Sequence, residues 1–509
     1  MSVARALMIQ GTGSGAGKSL IVAALCRIFS DEGLKVAPFK AQNMALNSCI
    51  TAEGGEIGRA QVLQAEAARI PPTIDMNPVL LKASGDMGSQ VIIQGRALRH
   101  MSAREYYTYR EKAWEAVRSS YSRLSKAFDL IIMEGAGSPA EINLKDVDIV
   151  NMSAARLARA PVLLVGDIDR GGVFASLYGT VRLLGRDARR IRGFIINKFR
   201  GDPGILKAGL DMMEKMTKRP VIGVLPFVSD MGLPEEDGLA LRNGVASSGD
   251  GTLKIVVIRL RYIANFTDFD PFFCDPDVSL QFSTSPSDID HADAVILPGS
   301  KNTVKDLLFL REHGLDKSIL RAFDAGAQVI AICGGYQMAG TRIRDPKRVE
   351  STHPEVEGLG LLDIETLFDE TKVTCQVEAQ AVEGSLFHST DGVGGGALSG
   401  YEIHMGRSFG NIGLFKVRRL NKGQEGQNGA AYVLDGSARK NCWGTYLHGI
   451  FVNDGFRREV LNRLREKKSL PPLAVSPSYR KLRDEALDRL AAMVRENVDM
   501  TYIRRLLAL

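Results

Sequence analysis

The first 230 residues alternate short apolar runs with longer amphipathic stretches. From Leu20 to Ile28 apolar residues recur at spacings of three and four, which predicts a helix over residues 18–31. The short runs are rich in aliphatic and β-branched residues and predict strands at residues 6–10, 35–39, 130–133, 162–165, 193–196 and 221–224. Strands that alternate with helices over this length predict a parallel sheet with helices on both faces.

A polar, glycine-rich stretch interrupts this alternation, and the pattern then restarts. Apolar runs at residues 253–260, 294–297 and 329–332 predict strands, and residues 303–313 predict a helix. After Pro471-Pro472, residues 479–497 have the pattern of a charged amphipathic helix. We therefore predict a first α/β domain at residues 1–235, a linker at 236–251 and a second α/β domain at 252–465. A helical extension follows at residues 466–509.

Composition narrows the class of protein. Of the 509 residues, 45% are hydrophobic and 24% are charged, which is ordinary globular usage. No apolar run approaches the ~18 residues of a membrane span, and a net charge of +6 over this length does not indicate a nucleic-acid partner. Six cysteines without a C-x-x-C pair indicate a reducing compartment. We expect a cytoplasmic protein with no nucleic acid or membrane as partner; a monomer and a homo-oligomer are both open.

A glycine-rich motif, residues 11–19 (GTGSGAGKS), follows the first predicted strand and opens the first predicted helix. This is the context of a phosphate-binding P-loop. We expect the backbone around Thr12, Gly13, Gly15 and Gly17 to bind ATP, with Lys18 on its outer phosphates and the Ser19 hydroxyl on Mg²⁺. The strict P-loop pattern has glycine where Thr12 stands. The lysine that marks ParA/MinD switch ATPases would fall at Gly13 and is missing.

Polar residues at the ends of the predicted strands add candidates for this site. Glu134 ends one strand and is the expected second ligand of the magnesium ion, with Asp167 and Asp169 as alternatives. Lys40 ends another strand and is a candidate for binding a phosphate or a substrate carboxylate. Asn197 ends a later strand and is a candidate for binding the nucleotide base.

Cys333 stands directly after an apolar strand and before two glycines and a helical stretch. This strand–turn–helix pattern is typical of nucleophiles, because small neighbours allow the sharp turn. A helix N-terminus also favours the reactive thiolate. The hydrolase form of the elbow prefers glycine where this chain has Ala331.

A nucleophilic cysteine needs a base, and His448, between a β-rich run and a glycine, is the first candidate. His404 is a rival, and the nearby Glu402 is a candidate for orienting a base. Backbone amides of Gly299 and Ser300, after the strand at 294–297, and of Gly334, after the cysteine, are candidates for stabilising an oxyanion.

With these motifs assembled, the sequence closely resembles the cobyric acid synthase family, the glutamine-dependent amidotransferases of cobalamin biosynthesis. The resemblance runs through nearly the whole chain. It rests on the P-loop and on residues 40–48 (KAQNMALNS), 134–139 (EGAGSP), 166–172 (GDIDRGG), 298–303 (PGSKNT), 333–337 (CGGYQ) and 446–449 (YLHG).

The resemblance implies a dethiobiotin synthetase-like ATPase domain followed by a class I glutaminase-like domain. It implies that ATP and glutamine are used to amidate the b, d, e and g carboxylates of a corrinoid, adenosylcobyrinic acid a,c-diamide. It assigns Cys333 as nucleophile and His448 as catalytic histidine, and adds Gln42 and Asn43 to Lys40 as substrate or phosphate ligands. Where class I glutaminases carry glutamate, this chain has Ile450, so the group that orients His448 stays open, with Glu402 as a candidate.

Two alternatives stay open at this point. One is the same chemistry on another acid, such as formation of cobyrinic acid a,c-diamide or amidation of a cell-wall lipid intermediate. The other is a switch ATPase that carries an inactive glutaminase-like module. Gly13 and the intact Cys333/His448 pair both argue against the switch.

Overall fold

The computed structural model describes residues 4–83, 88–229, 231–233, 251–387, 396–420 and 432–509. The predicted linker, residues 236–251, lies outside the described residues except for Gly251. In the first half the strands are β1 (Arg5–Gly11), β2 (Val36–Phe39), β3 (Gln42–Met44), β4 (Ser48–Ile50), β5 (Glu56–Gly58), β6 (Val79–Ala83), β7 (Ser89–Ile93), β8 (Arg96–Met101), β9 (Leu130–Glu134), β10 (Val162–Asp167), β11 (Ile191–Phe199) and β12 (Val221–Pro226). The helices are α1 (Lys18–Asp31), α2 (Arg59–Ala67), α3 (Ala103–Ala127), α4 (Met152–Leu157), α5 (Val173–Leu183) and α6 (Pro203–Thr217).

Six of these strands form a parallel sheet in the order β12-β11-β10-β1-β9-β2. In its centre Met8 pairs with Val162 on one side and Met133 on the other. Buried aliphatic clusters cover both faces, as the continuous apolar runs require. Because all six strands are parallel, their carboxyl ends meet at one edge. The loop after β1 therefore lies beside the ends of β9 and β10.

A smaller sheet, β3-β6-β7-β8, and the hairpin of β4 and β5 lie beyond β2. Only β3 and β6 of this small sheet are parallel. These short strands were not predicted from the sequence, because their partners are set by tertiary pairing.

The second half contains another mainly parallel sheet and a large antiparallel one. Its strands are β13 (Leu253–Ile258), β14 (Val278–Ser283), β15 (Ala294–Leu297), β16 (Gln328–Ile332), β17 (Arg342–Arg344), β18 (Glu355–Glu357), β19 (Ile364–Ala381), β20 (Leu398–Gly410), β21 (Phe415–Arg419), β22 (Val433–Asp435), β23 (Ser437–Arg439), β24 (Cys442–Thr445) and β25 (Leu447–His448). Its helices are α7 (Pro286–Asp290), α8 (Thr303–Glu312), α9 (Leu315–Asp324), α10 (Gly334–Ala339), α11 (Asp454–Lys467), α12 (Tyr479–Asn497) and α13 (Met500–Leu507).

The parallel sheet has the order β14-β13-β15-β16-β24-β23, with β23 antiparallel to its neighbour. The other sheet, β18-β17-β19-β20-β25, carries β21 and β22 on β19. Cys333 follows the central strand β16 of the first of these sheets, and His448 ends β25 of the second. The contact between the two sheets therefore decides whether these side chains meet.

The predicted C-terminal helix is confirmed as α12, and it packs on the first half of the chain. Its buried face, which includes Leu487 and Leu490, joins the cluster beneath α1. Arg27 of α1 is buried and pairs with Asp484 at 2.5 Å. The two halves also share a buried apolar cluster of Cys49, Ile50, Ile57, Val62, Tyr401 and Ile403. Within the described ranges, no helix has both the length and the apolar character that a bilayer crossing requires.

Candidate active sites

The loop between β1 and α1 folds around the side chain of Lys18. Lys18 Nζ donates to the carbonyl oxygens of Gly13 at 2.9 Å and Gly137 at 3.3 Å. Gly17 has a φ of +93°, and a Cβ there would lie 2.1 Å from Asn197 Nδ2, so only glycine fits. Since α1 begins at Lys18, its first amides point into the loop, as a phosphate site requires.

Glu134, the last residue of β9, lies beside this loop and accepts several hydrogen bonds. Its Oε1 accepts from Ser19 Oγ at 2.9 Å and from Lys40 Nζ at 2.8 Å, and its Oε2 accepts from Gln64 Nε2 at 2.5 Å. Burial alone would raise the pKa of Glu134, but Lys40 and Gln64 outweigh it, so the pKa is lowered. The carboxyl group is therefore a buried anion.

Ser19 and Glu134 fit a magnesium ion, which takes few protein oxygens and completes its coordination with phosphate and water. The alternative acids pair with cations as Glu134 does: Asp167 accepts from Lys198 Nζ at 3.0 Å, and Asp169 pairs with Arg200 at 3.0 Å. Glu134 is preferred because it also accepts from Ser19 Oγ. In the part of the chain that the structure describes, no group of three or more metal-binding side chains is placed to hold an ion. The pair at the loop would therefore hold the ion together with a nucleotide.

Two other predicted ATP ligands join the loop to neighbouring strands. Asn197 Nδ2 donates to the carbonyl oxygen of Ala16 at 2.9 Å, and the Thr12 amide donates to that of Val165 at 2.9 Å. Asn197 thus supports the loop backbone, and its contact with a base stays a prediction. The next residue, Lys198, donates to the carbonyl oxygen of Gly15 at 2.8 Å.

A cavity of about 820 Å³ opens beside the loop; we call it the nucleotide cavity. Its wall includes most of the predicted ATP and substrate residues, namely Gly15, Gly17, Lys18, Ser19, Lys40, Gln42, Asn43 and Glu134. Gln42 Oε1 accepts from Tyr106 OH at 2.5 Å, and Asn43 donates to Gln61 at 3.0 Å. The structure therefore brings the first part of the motif at 40–48 to the cavity beside the P-loop.

Cys333 occupies a sharp turn between β16 and α10, with φ +52° and ψ −107°. Such a backbone costs a non-glycine residue on the order of 1–3 kcal/mol and is typical of functional sites. The Cys333 amide donates to the carbonyl oxygen of Thr445 at 2.9 Å, which joins the turn to β24. A Cβ on Gly335 would lie 2.0 Å from the carbonyl oxygen of Leu297, so the glycine is needed for the turn. The buried thiol donates to the carbonyl oxygen of Ile403 at 3.5 Å.

His448 lines the same cavity as Cys333, which we call the thiol cavity. Its Nδ1 lies 2.5 Å from Asp268 Oδ2, and the Gly449 amide donates to the other carboxylate oxygen at 3.1 Å. Burial alone would lower the pKa of His448, but Asp268 and the Cys333 sulfur raise it to about 10. Because Asp268 bonds to Nδ1 of His448, the other ring nitrogen, Nε2, is the one that can exchange a proton with the Cys333 sulfur. A thiol, an imidazole and a carboxylate in this order match nucleophilic catalysis.

Glu402 does not orient His448, and that hypothesis is wrong. Glu402 accepts from Arg419 Nε at 2.6 Å and from Cys375 Sγ at 3.2 Å. The rival histidine, His404, lies 3.7 Å from Glu402 and stacks on Tyr446 with ring centroids 3.8 Å apart. His404 lines the thiol cavity as well, but the carboxylate that contacts His448 comes from a different part of the chain.

The predicted oxyanion residues lie together around the Cys333 turn. A Cβ on Gly334 would lie 2.8 Å from the Ser300 amide nitrogen, and one on Gly299 would lie 3.2 Å from His448 Cε1. Ser300 Oγ donates to Asp306 at 2.6 Å, which fixes this loop. Gly334 is the first residue of α10, so its amide has no partner within the helix.

The thiol cavity is built from both halves of the chain. Lys301 and Lys372 of the second half and Lys82 of β6 all line it. Glu56 is buried and pairs with Lys82 at 3.0 Å and Lys372 at 2.6 Å. Burial would raise the pKa of Glu56, but the two lysines hold it far below its ordinary value. An ionised Glu56 therefore joins the two halves beside the thiol.

Three parts of these sites were missed from the sequence: Asp268, Gln64 and the lysines around Glu56. Asp268 precedes His448 by 180 positions and lies in a run that also holds Asp270. No local pattern distinguishes these two aspartates. Only the fold identifies the one that contacts the imidazole.

Comparisons with known proteins match each half of the chain to a described domain family. Residues 7–240 match a family model described as a CobQ/CobB/MinD/ParA nucleotide binding domain. Residues 254–456 match one described as a CobB/CobQ-like glutamine amidotransferase domain. The expected α/β fold class, a nucleotide-binding domain followed by a glutamine amidotransferase domain, is confirmed.

Similar proteins match the chain from end to end. A protein of Thermodesulfovibrio yellowstonii is 47% identical over 98% of this chain and 99% of its own. One of Caldanaerobacter subterraneus is 49% identical over 98% of each chain, and one of Sorangium cellulosum is 48% identical over 99% and 98%. All three are named cobyric acid synthase.

Proposed function

The chain belongs to the cobyric acid synthase family of glutamine amidotransferases, and from that premise we propose the reaction that it performs. It uses ATP and glutamine to amidate the b, d, e and g carboxylates of adenosylcobyrinic acid a,c-diamide, giving adenosylcobyric acid. The name that its relatives share supports this acceptor. A carboxylate is a poor electrophile, so each one is first converted to an acyl phosphate.

The acyl phosphate forms in the nucleotide cavity. A carboxylate oxygen of the acceptor attacks the terminal phosphorus of ATP, and ADP leaves. Lys18 and the loop amides bind the phosphoryl group during its transfer and stabilise its negative charge. Lys40 attracts the acceptor carboxylate to the phosphoryl group. Ser19 and Glu134 would hold magnesium together with the nucleotide, and the ion would supply further charge neutralisation at the phosphate oxygens.

Glutamine is hydrolysed in the thiol cavity. The sulfur of Cys333, which has passed its proton to His448, attacks the side-chain amide carbon, and the amides of Gly334 and Ser300 bind the oxygen that becomes negative. His448, held by Asp268, gives its proton to the departing nitrogen, and ammonia leaves as a thioester forms. Water then releases glutamate from the thioester.

A wall shared by the two cavities is the observation that carries the proposal. Leu81 of β6 lines the nucleotide cavity, and the next residue, Lys82, lines the thiol cavity. Successive side chains of a strand point to opposite faces. The strand β6 is thus part of the wall of both cavities, and the proposed path of ammonia to the acyl phosphate runs past it.

We propose that this reaction takes place in the cytoplasm with a small corrinoid acid as the partner. The cytoplasm supplies ATP, and its reducing conditions agree with six cysteines that form no disulfide. Glutamine serves as the nitrogen donor.

The direct test is product analysis by mass spectrometry. The protein is incubated with ATP, magnesium and glutamine and, in separate reactions, with cobyrinic acid, its a,c-diamide or a cell-wall lipid acid. Each amidation replaces OH by NH₂ and lowers the mass by a fixed increment, so the products can be counted. We expect successive amidation of the a,c-diamide until the b, d, e and g positions are amides. Preferred turnover of either other acid would contradict the assignment of the acceptor.

A further inference from the structure

The P-loop lines only one part of the nucleotide cavity, and residues from other elements line the rest. Lys198, near the end of β11, and Lys40 and Met44, after the end of β2, all line it. In the sheet, β11 and β2 lie on opposite sides of β1. At about 820 Å³ the cavity is near the upper end of the ~300–1,000 Å³ typical of ligand sites. It therefore has room for a second ligand on the β2 side of the phosphates.

Large apolar side chains are exposed along the wall of the nucleotide cavity. Met44 is 65% exposed, Tyr107 of α3 is 46% exposed, and Leu144 is 39% exposed. Single exposed apolar side chains are common on protein surfaces, but these three line one cavity. They form a wall suited to a large, flat, apolar ligand.

Cations lie among these apolar side chains. Arg110, one helical turn after Tyr107 in α3, and Lys145, next to Leu144, both line the cavity. Arg110 also donates to the carbonyl oxygen of Asp146. The guanidinium group thus connects α3 to the segment of Leu144 and Lys145 at the wall of the cavity. Apolar surface with cations at its edge is complementary to a flat molecule whose rim carries carboxylates.

Tyr106 connects this wall to the residues that follow β2. Its hydroxyl donates to Gln42 at 2.5 Å. Lys40, two residues earlier, contacts Glu134 beside the P-loop. A ligand against Met44 and Tyr107 would therefore extend one edge toward the site of phosphoryl transfer.

We propose that Met44, Tyr107, Arg110, Leu144 and Lys145 form the acceptor-binding wall, which holds the corrinoid macrocycle. This inference rests on the proposed function and adds the place where the acceptor binds. The apolar side chains pack against the macrocycle, while Arg110 and Lys145 bind carboxylates at its rim. The carboxylate at the opposite edge then lies near Lys40 and Lys18, where it is activated.

The test measures acceptor affinity in Tyr107→Ala and Arg110→Ala. Equilibrium dialysis with cobyrinic acid a,c-diamide, without nucleotide, gives Kd, and steady-state amidation gives KM for the acceptor, ATP and glutamine. We expect each substitution to weaken acceptor binding about tenfold or more. The KM values for ATP and glutamine should not change. Matched controls are Tyr432→Ala, an exposed tyrosine of the second half, and Arg118→Ala, an exposed arginine farther along α3.

The outcomes separate this inference from the proposed function. Unchanged acceptor Kd and KM in both variants, in an enzyme that amidates the corrinoid, would overturn the acceptor wall alone. A rise in the KM for ATP without a change for the acceptor would also overturn it, because the wall would then bind nucleotide. If the wild-type protein neither binds nor amidates a corrinoid, both proposals fall.

Discussion

At the scale of single residues, Asp268 controls the charge of the imidazole that faces the thiol. The Asp268 carboxylate lies 2.5 Å from His448 and is a main reason why the pKa of His448 rises to about 10. At neutral pH the imidazole is therefore protonated. In the proposed reaction this is the proton that leaves with ammonia.

We expect Asp268→Asn to lower the pKa of His448, because the carboxylate is removed while burial remains. Glutamine hydrolysis at neutral pH should fall by roughly 10²–10⁴-fold, and the His448-dependent limb of its pH profile should move to lower pH. Glutamate release measured across pH checks this prediction. The control is Asp270→Asn, which changes the aspartate two positions further along the chain. An unchanged pH profile in Asp268→Asn would show that His448 is not held by Asp268.

The same pKa predicts how stability depends on pH. The folded-state pKa of His448 is above its ordinary value of 6.5, so protonated His448 stabilises the fold. This contribution is complete below about pH 6.5 and is lost as the pH rises through about 10. The stability difference between the wild type and Asp268→Asn should shrink over that interval.

Gly334 offers a second prediction at this scale. A Cβ there would lie 2.8 Å from the Ser300 amide nitrogen and would separate the two proposed oxyanion donors. We expect Gly334→Ala to lower glutamine-dependent amidation by roughly 10²-fold or more, as the loss of an oxyanion donor does. Amidation with added ammonia should stay near the wild-type rate. The control is Gly413→Ala, where a Cβ meets nothing within 4 Å; equal loss with both nitrogen donors would contradict this role.

At the scale of elements, buried ion pairs hold the segment that carries Asp268. The 3₁₀ helix Phe266–Cys274 ends at Asp275, which accepts from Arg457 at 2.7 Å and from Arg458 at 2.5 Å. Both arginines belong to α11 and are almost fully buried. Ser476 Oγ also donates to Asp275 at 2.6 Å. One carboxylate therefore joins the Asp268 segment to α11 and to the chain that leads into α12.

We expect Asp275→Ala to destabilise the protein by about 3–5 kcal/mol, because two buried guanidinium groups lose their shared partner. Chemical denaturation followed by circular dichroism measures this change. The control is Glu485→Ala, which removes an exposed pair with Lys481 at 4.0 Å and should change stability by less than about 1 kcal/mol. Similar stabilities for the two variants would contradict the importance of the network.

The elements differ in how far the sequence predicts them. Helices α1 and α12 match their predicted bounds. Their apolar residues recur at helical spacing, and this local pattern identifies the buried face of each helix. The antiparallel sheet of β19 and β20 was not predicted. Its pairs, such as Val373 with His404, join distant residues, and much of β19 is only partly buried. Its stability comes from partners that no local window contains.

At the scale of the whole molecule, Glu56 joins the two catalytic halves beside the thiol cavity. It lies 316 positions from Lys372, so no sequence pattern could pair them. The P-loop and the Cys333 turn were predicted because each motif is contiguous. The interface was not predicted, because it exists only after the halves dock. Asp268 was not predicted either, because 180 positions within the second half separate it from His448.

We expect Glu56→Gln to weaken coupling between the sites, because Lys82 and Lys372 would face each other without an anion between them. More glutamate should be released per amide formed, while ammonia-dependent amidation is retained. Measuring both products in one reaction gives the ratio. Glu66→Gln, which alters a pair with Arg483 outside the thiol cavity, is the control. A wild-type ratio in Glu56→Gln would mean that this carboxylate does not couple the sites.

The most direct measurement compares the two nitrogen donors in Cys333→Ala. The account predicts that this variant loses amidation with glutamine but keeps it with ammonium salts, whereas Lys18→Ala loses both. Glutamine use by Cys333→Ala would contradict nitrogen release at Cys333. Loss of the ammonia reaction in a folded Cys333→Ala would contradict the division into two steps, nitrogen release at Cys333 and acid activation at the P-loop.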